Sequence, residues 1–229
     1  PVINQLQTEV PDRLILAYCD DVMICGEAKR AFEARARSGQ LLHTVVQMEL
    51  RSYKTSIFSP TTPLRTLRRV HGLPEIIPDD KIQQDGVRVL GCPVGSNAFK
   101  VKSTRTVVEN LANDMATLER CPSMHVQYIL MSKSVQHSVT HLLRSISGGT
   151  SAYASIAAFY DAALPRCAQR WSGRATTFPV ASQQLVFLPL RHGGLGFRSW
   201  AHTADAAYVS AYAHATSLLP AYYPTLLHT

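Results

Sequence analysis

Two adjacent carboxylates, Asp20 and Asp21, stand in the stretch LILAYCDDVMICG, Leu14 to Gly26, between two apolar runs. Burying an unpaired carboxylate costs on the order of several kcal/mol, so apolar flanks ought to exclude such a pair. A divalent cation reverses that balance. Mg²⁺ prefers carboxylate and phosphate oxygens, and two ions about 3.5–4 Å apart activate a hydroxyl nucleophile and stabilise a departing oxygen. The alternative is an ordinary Asp-Asp turn in water, which does not require buried strands on both sides.

Other groups carry weaker chemical signals. Asp79-Asp80 follows Pro78 in a polar connection and is most simply a solvated turn. Cys121, His125, His137 and His141 form a Cys-x-x-x-His and a His-x-x-x-His step, the latter with two imidazoles on one helical face. Zinc is the sharp hypothesis there, but the spacings match no standard structural zinc pattern. RHGGLGF, Arg191 to Phe197, lacks the Gly-x-Gly-x-x-Gly order and the Walker lysine, and reads as a glycine turn. Arg166, Arg170 and Arg174 recur at helical spacing and suit either a nucleic-acid backbone or a solvated basic face.

The elements that must position these groups follow from apolar periodicity. Arg13 to Tyr18 and Val22 to Cys25 read as a tight hairpin of buried strands, with Glu9-Val10-Pro11-Asp12 as a turn before it. Glu27 to about Leu50 reads as a helix, interrupted near Ser38-Gly39, followed by a short strand in KTSIFSP, Lys54 to Pro60. Thr61 to Gln84 is rich in Pro and Arg and reads mainly as a connection. VRVLGCPVGS, Val87 to Ser96, reads as a second hairpin kinked at Gly91-Cys92-Pro93. Helices are then expected over Thr104 to Glu119, Met124 to Ile146, Ala152 to Trp171 with a kink at Pro165, and Ala201 to Leu219 ended by Pro220.

At 229 residues, 46% hydrophobic and 17% charged, the chain can bury an ordinary globular core. No stretch approaches the roughly 20 continuous apolar residues of a spanning helix, so no membrane partner is expected. The five cysteines, odd in number and set in apolar segments, suggest a reducing, intracellular compartment. The sequence opens Pro1-Val2-Ile3 without an initiator Met or a secretory leader and reads as a piece of a longer chain. A formal charge of +7 favours polyanion partners.

LAYCDDVMIC resembles the YxDD box of reverse transcriptases, and the order downstream is similar to that of the non-LTR retrotransposon type. LRSYKTSIFSP resembles the segment where a Lys follows the palm helix, VRVLGCPVGS the hairpin that grips the primer, and LPLRHGGLGFRS a Pro-Leu-Arg-x-Gly-Gly-Leu-Gly segment beyond the thumb. The resemblance covers most of the chain. It implies an RNA-directed DNA polymerase with Mg²⁺ or Mn²⁺ as cofactor and an RNA template, a DNA primer and deoxynucleoside triphosphates as partners. Asp20 would be a metal ligand, with Asp21 its less essential neighbour. Tyr18 and Cys19 would lie near the primer terminus. Lys54 would lie near the incoming phosphates, its alternative being a solvated lysine. Gly91, Pro93 and Gly95 would shape the primer-grip hairpin, a structural β-bulge being compatible with that role.

The expected fold is therefore α+β: residues 1–86 as the C-terminal part of a palm, 87–100 as the primer-grip hairpin and 101–229 as a helical thumb and post-thumb region. In this family a further aspartate on an earlier palm strand, together with the fingers, completes the site. Only Glu9 and Asp12 precede Tyr18 as carboxylates and neither fits that strand, so the chain alone is expected to be inactive. The other readings are a non-catalytic basic nucleic-acid-binding module, a decayed element, and a helical interaction protein without nucleic acid. Location in the nucleus or cytoplasm follows from the resemblance alone.

Overall fold

The computed structural model describes residues 2–10, 14–18, 21–74, 77–147, 151–173 and 178–222. The chain divides into two compact units, Pro1–Val87 and Arg88–Thr229, and mixes helix with small two-stranded sheets.

In the first unit β1 (Leu14–Tyr18) and β2 (Asp21–Cys25) pair antiparallel, from Leu14 opposite Cys25 to Tyr18 opposite Asp21. Helix α1 (Val2–Glu9) places Val2 and Leu6 one turn apart, and both pack with Ile15 of β1 and Leu41 of α2 (Ala28–Val46). Arg37 on α2 donates from Nε and Nη2 to the two Glu9 carboxylate oxygens, at 2.6 and 2.9 Å. These bonds, with a further one from Gln5, hold the Glu9 carboxyl down at about 2. A second cluster gathers Leu67 of α3 (Leu64–Arg69), Leu73 and Ile77 against Ile57 of β3 (Ile57–Phe58) and Ile82 of β4 (Ile82–Gln83), two strands that pair in parallel. Arg68 donates to the carbonyls of Pro74 and Ile77 and to the Asp79 carboxylate, closing the segment between them.

The second unit begins in β5 (Gly86–Val89), which pairs with β6 (Cys92–Gly95) across the turn Leu90-Gly91. Among the described residues six α-helices follow: α4 (Asn97–Glu119), α5 (Met124–Lys133), α6 (Thr140–Ser145), α7 (Ser151–Trp171), α8 (Val180–Leu185) and α9 (Trp200–Tyr222). Ile156, Tyr160 and Leu164 recur every four residues along α7 and are fully buried, which makes that helix the axis of the unit. The Trp200 indole stacks on Tyr160 with ring centroids 3.7 Å apart. Its Nε1 donates to the Gln136 carbonyl at 3.2 Å, and its own carbonyl accepts from Tyr153 at 2.6 Å. Asp161 of α7 accepts from the Trp200 and Ala201 amides and from Ser199 Oγ, so one helix caps the next.

Several sequence expectations are corrected. Residues 2–8, to which the sequence pattern assigns no element, and Glu9, read as part of a turn, form α1, because Val2 and Leu6 find the Ile15 face. The helix expected over Glu27 to Leu50 is uninterrupted at Ser38-Gly39 and stops earlier, at Val46, where Gln47 takes the left-handed conformation at φ 55°. Residues 61–84 are more than a connection, since α3 and β4 fall within them. The strand in KTSIFSP shrinks to Ile57–Phe58, and Lys54 instead ends a 3₁₀ turn. Helix α4 starts seven residues earlier than expected, because Ser96 Oγ accepts from the Phe99 amide as its cap. Met124 to Ile146 is broken: α5 and α6 are separated by a 3₁₀ turn over Val135–His137, which frees the Gln136 carbonyl for the Trp200 indole. The kink in the second hairpin sits at Leu90-Gly91, with Cys92 and Pro93 inside β6. Pro220 does not end α9; it lies in the last turn and removes one backbone bond, that to the Thr216 carbonyl.

Candidate functional site

The apolar runs LILAY and DVMIC pair as expected, but they are not the buried strands the sequence suggests: Ile15 is buried, Leu16, Ala17 and Cys25 are exposed and Val22 to Ile24 half-buried, while Asp21 is exposed at the first position of β2. Cys19 and Asp20 lie outside the described residues. Tyr18 is the backbone partner of Asp21, so Asp21 falls at the end of the β1–β2 pairing away from Leu14 and Cys25. No described residue hydrogen-bonds or ion-pairs with the Asp21 carboxylate. Among the described residues no group of three or more His, Cys, Asp and Glu side chains is gathered as for a metal ion.

Lys54 ends the 3₁₀ turn Ser52–Lys54 and is exposed. That turn is fixed by a residue the sequence did not single out. Arg35 on α2 donates from Nη2 to Ser52 Oγ at 2.9 Å and to Thr55 Oγ1 at 3.4 Å, bracketing the lysine. Burial lowers the affinity of the Arg35 guanidinium for its proton without neutralising it. No hydrogen bond or ion pair links Lys54 to Asp21. Nothing in the spacing of Arg35 marks this role, because it sits among other basic residues on a helix face that looks solvated.

Gly91, Pro93 and Gly95 share the β5–β6 hairpin, which packs on α4 and α6. Pro93 is buried. At the turn, Leu90 has φ 48° and Gly91 φ 81°. Two positive-φ residues are what a two-residue hairpin demands, and Leu is a poor choice for the first, at a cost of about 1–2 kcal/mol. Leu90 is nonetheless half exposed, so packing does not repay this strain. The His141 imidazole lies against Gly91, where a Cβ would stand 3.5 Å from Nε2. Cys92 Sγ lies 3.2 Å from Ser145 Oγ, which fastens β6 to α6.

The remaining candidates separate. Cys121 precedes α5, His125 lies on it, His137 ends a 3₁₀ turn and His141 is on α6, so the expected shared helical face is absent. Asp79 is bonded to Arg68. Arg170 is bonded to Glu119, Arg166 is exposed and Arg174 lies outside the described residues. The glycine segment is a closed turn: Leu195 donates to the Leu185 carbonyl, Gly196 to Leu188 and Phe197 to Val186. A Cβ on Gly194 would stand 2.2 Å from the Leu188 carbonyl oxygen, so only glycine fits there.

Charge divides with the fold. Residues 88–229 carry twelve Lys and Arg against five Asp and Glu, whereas residues 1–87 carry eleven of each, so the whole +7 belongs to the helical unit. No described helix is long and apolar enough to cross a membrane. Comparison with known protein families, with curated proteins and with solved structures returns no match to this chain.

Proposed function

We propose that the chain is the C-terminal part of the palm, the primer-grip hairpin and the thumb of an RNA-directed DNA polymerase of non-LTR retrotransposon type. The observation that carries this reading is the register of the first hairpin: in the Tyr-Cys-Asp-Asp box, Tyr18 stands opposite Asp21 at the closed end of two antiparallel strands. A divalent cation, Mg²⁺ or Mn²⁺, is what gives an acidic pair in that position a use. Asp21 alone is not a complete site, since the described residues gather no third ligand with it. Asp20 and Asp21 are therefore contributors to a site that needs a carboxylate from another palm strand. Tyr18 and Cys19 border the primer terminus, Lys54 faces the nucleotide phosphates, and Gly91, Pro93 and Gly95 hold the primer against α6. RNA template, DNA primer and deoxynucleoside triphosphates are the partners, and a nuclear or cytoplasmic location follows from the same reading.

The test is primer extension on an RNA template by a polypeptide joining these residues to an aspartate-bearing palm strand and fingers. Asp20→Asn is expected to slow extension at least about 100-fold, the scale on which a misplaced reacting group reduces rate. Full activity in that variant overturns the metal assignment.

A second reading, a basic nucleic-acid-binding module without chemistry, is favoured by the confinement of the net charge to the helical unit. Residues 88–229 would then bind a primer–template duplex without extending it, with log affinity falling by about 0.9 per contacted phosphate for each unit of log salt. An affinity indifferent to salt overturns both readings.

A further inference from the structure

Helices α4 and α7 leave a groove of about 260 Å³ between them. Its apolar walls come from Ala112, Met115 and Ala116 on α4 and from Phe159 and Ala163 on α7. Three of these five residues are alanines, and it is their small size that keeps the helices from filling the space. At one end stand three charges, Glu119, Arg166 and Arg170, beside the buried thiol of Cys167. Arg170 is held in place: it donates to the Glu119 carboxylate and, at 3.3 Å, to Cys167 Sγ. Arg166 has no hydrogen-bond or ion-pair partner among the described residues. The charged end is thus one guanidinium in excess of neutrality, next to an apolar slot.

We propose that this groove is a binding site for a small aromatic monocarboxylate, its ring against Phe159 and Met115 and its carboxylate on Arg166. Three considerations fix the class. An apolar cavity of roughly 150 Å³ takes up benzene, so about 260 Å³ holds a ring with a small polar group attached. The single unmatched positive charge calls for a monoanion, because a dianion would leave excess negative charge beside Glu119. A planar carboxylate also engages the guanidinium fork with two parallel bonds, as a phosphate would, but without a phosphate's second charge. The site shares no residue with the acidic hairpin, and the inference stands apart from the polymerase reading.

The test is binding of benzoate to the full chain by ligand-detected NMR and calorimetry, with benzamide as the neutral isostere and inorganic phosphate as the ring-free anion. Benzoate is expected to bind at least tenfold more tightly than either. Arg166→Met is expected to lower benzoate affinity at least tenfold and to abolish the preference over benzamide. Ala116→Met, at an exposed position on the groove wall, is expected to abolish binding of all three while the circular dichroism spectrum and thermal midpoint stay those of the parent. Equal binding of benzoate and benzamide, an unchanged affinity in either variant, or no benzoate binding up to its solubility limit overturns the proposal.

Discussion

Arg35 donates to Ser52 Oγ at 2.9 Å, a bond that runs from the middle of α2 to the first residue of the turn that ends in Lys54. The turn's other supports are backbone bonds from Lys54 to Arg51 and from Thr55 to Ser52, a long bond from Thr55 Oγ1 to the Arg51 carbonyl, the Arg51 contact with the Tyr53 hydroxyl, and a second, longer contact of Arg35 with Thr55. Arg35 thus ties down the residues on either side of the backbone segment from which the exposed Lys54 projects.

Replacing Arg35 by Leu removes both side-chain bonds while keeping the aliphatic stem. The expected outcome is faster hydrogen exchange at the Lys54 and Thr55 amides, with a loss of global stability of about 1–2 kcal/mol. Exchange unchanged at those two amides would show that the backbone alone holds the turn.

The Glu9–Arg37 bridge predicts an acid-sensitive N-terminal unit. The Glu9 carboxyl sits at about 2 in the folded chain against an ordinary value of 4.5. Because the folded value is the lower one, the contribution is complete above about pH 4.5 and disappears as pH falls toward 2. Glu9→Gln should therefore flatten the acid limb of stability over that interval and lower stability at pH 7. Urea midpoints from pH 7 to pH 2.5 measure it, and parallel curves for parent and variant refute it.

Tyr160 offers a prediction of opposite sign. Its ring is fully buried under Trp200, yet its hydroxyl has no hydrogen-bond partner among the described residues, and burial raises its proton affinity well above the usual tyrosine range. An unsatisfied buried hydroxyl costs about 1–3 kcal/mol, so Tyr160→Phe keeps the stack and is expected to stabilise the chain by about 1 kcal/mol. A higher urea midpoint with an unchanged slope is the result to look for. A lower midpoint would reveal a partner for the hydroxyl.

What the sequence disclosed and what it hid divide along physical lines. The first hairpin was legible because LILAY and DVMIC are apolar and meet at a polar step, and the glycine turn was legible because Gly193, Gly194 and Gly196 crowd together. Helix α4 was visible in its core stripe of Leu111 and Met115, but its first turn was not, because Ser96 acts through one hydroxyl and leaves no periodic trace. The break between α5 and α6 was hidden for a different reason. Its cause is Trp200, whose indole claims the Gln136 carbonyl from a segment that no local pattern connects to it. Arg35 and Asp161 were unreadable on the same ground: each is an ordinary charged residue on a helix until its partner arrives from elsewhere in the chain.

The turn around Gly194 has a bearing on how the protein meets proteases. Leu188, Leu190 and Arg191 are exposed on it and together look like an accessible cleavage site. Cleavage requires several residues to be drawn out straight, and here that means breaking the backbone bonds from Leu195, Gly196 and Phe197 and parting a contact so close that only a hydrogen atom fits. Trypsin at Arg191 should thus act as a gauge of the opening of the helical unit as a whole, its rate following the population of the unfolded form rather than the exposure of the loop.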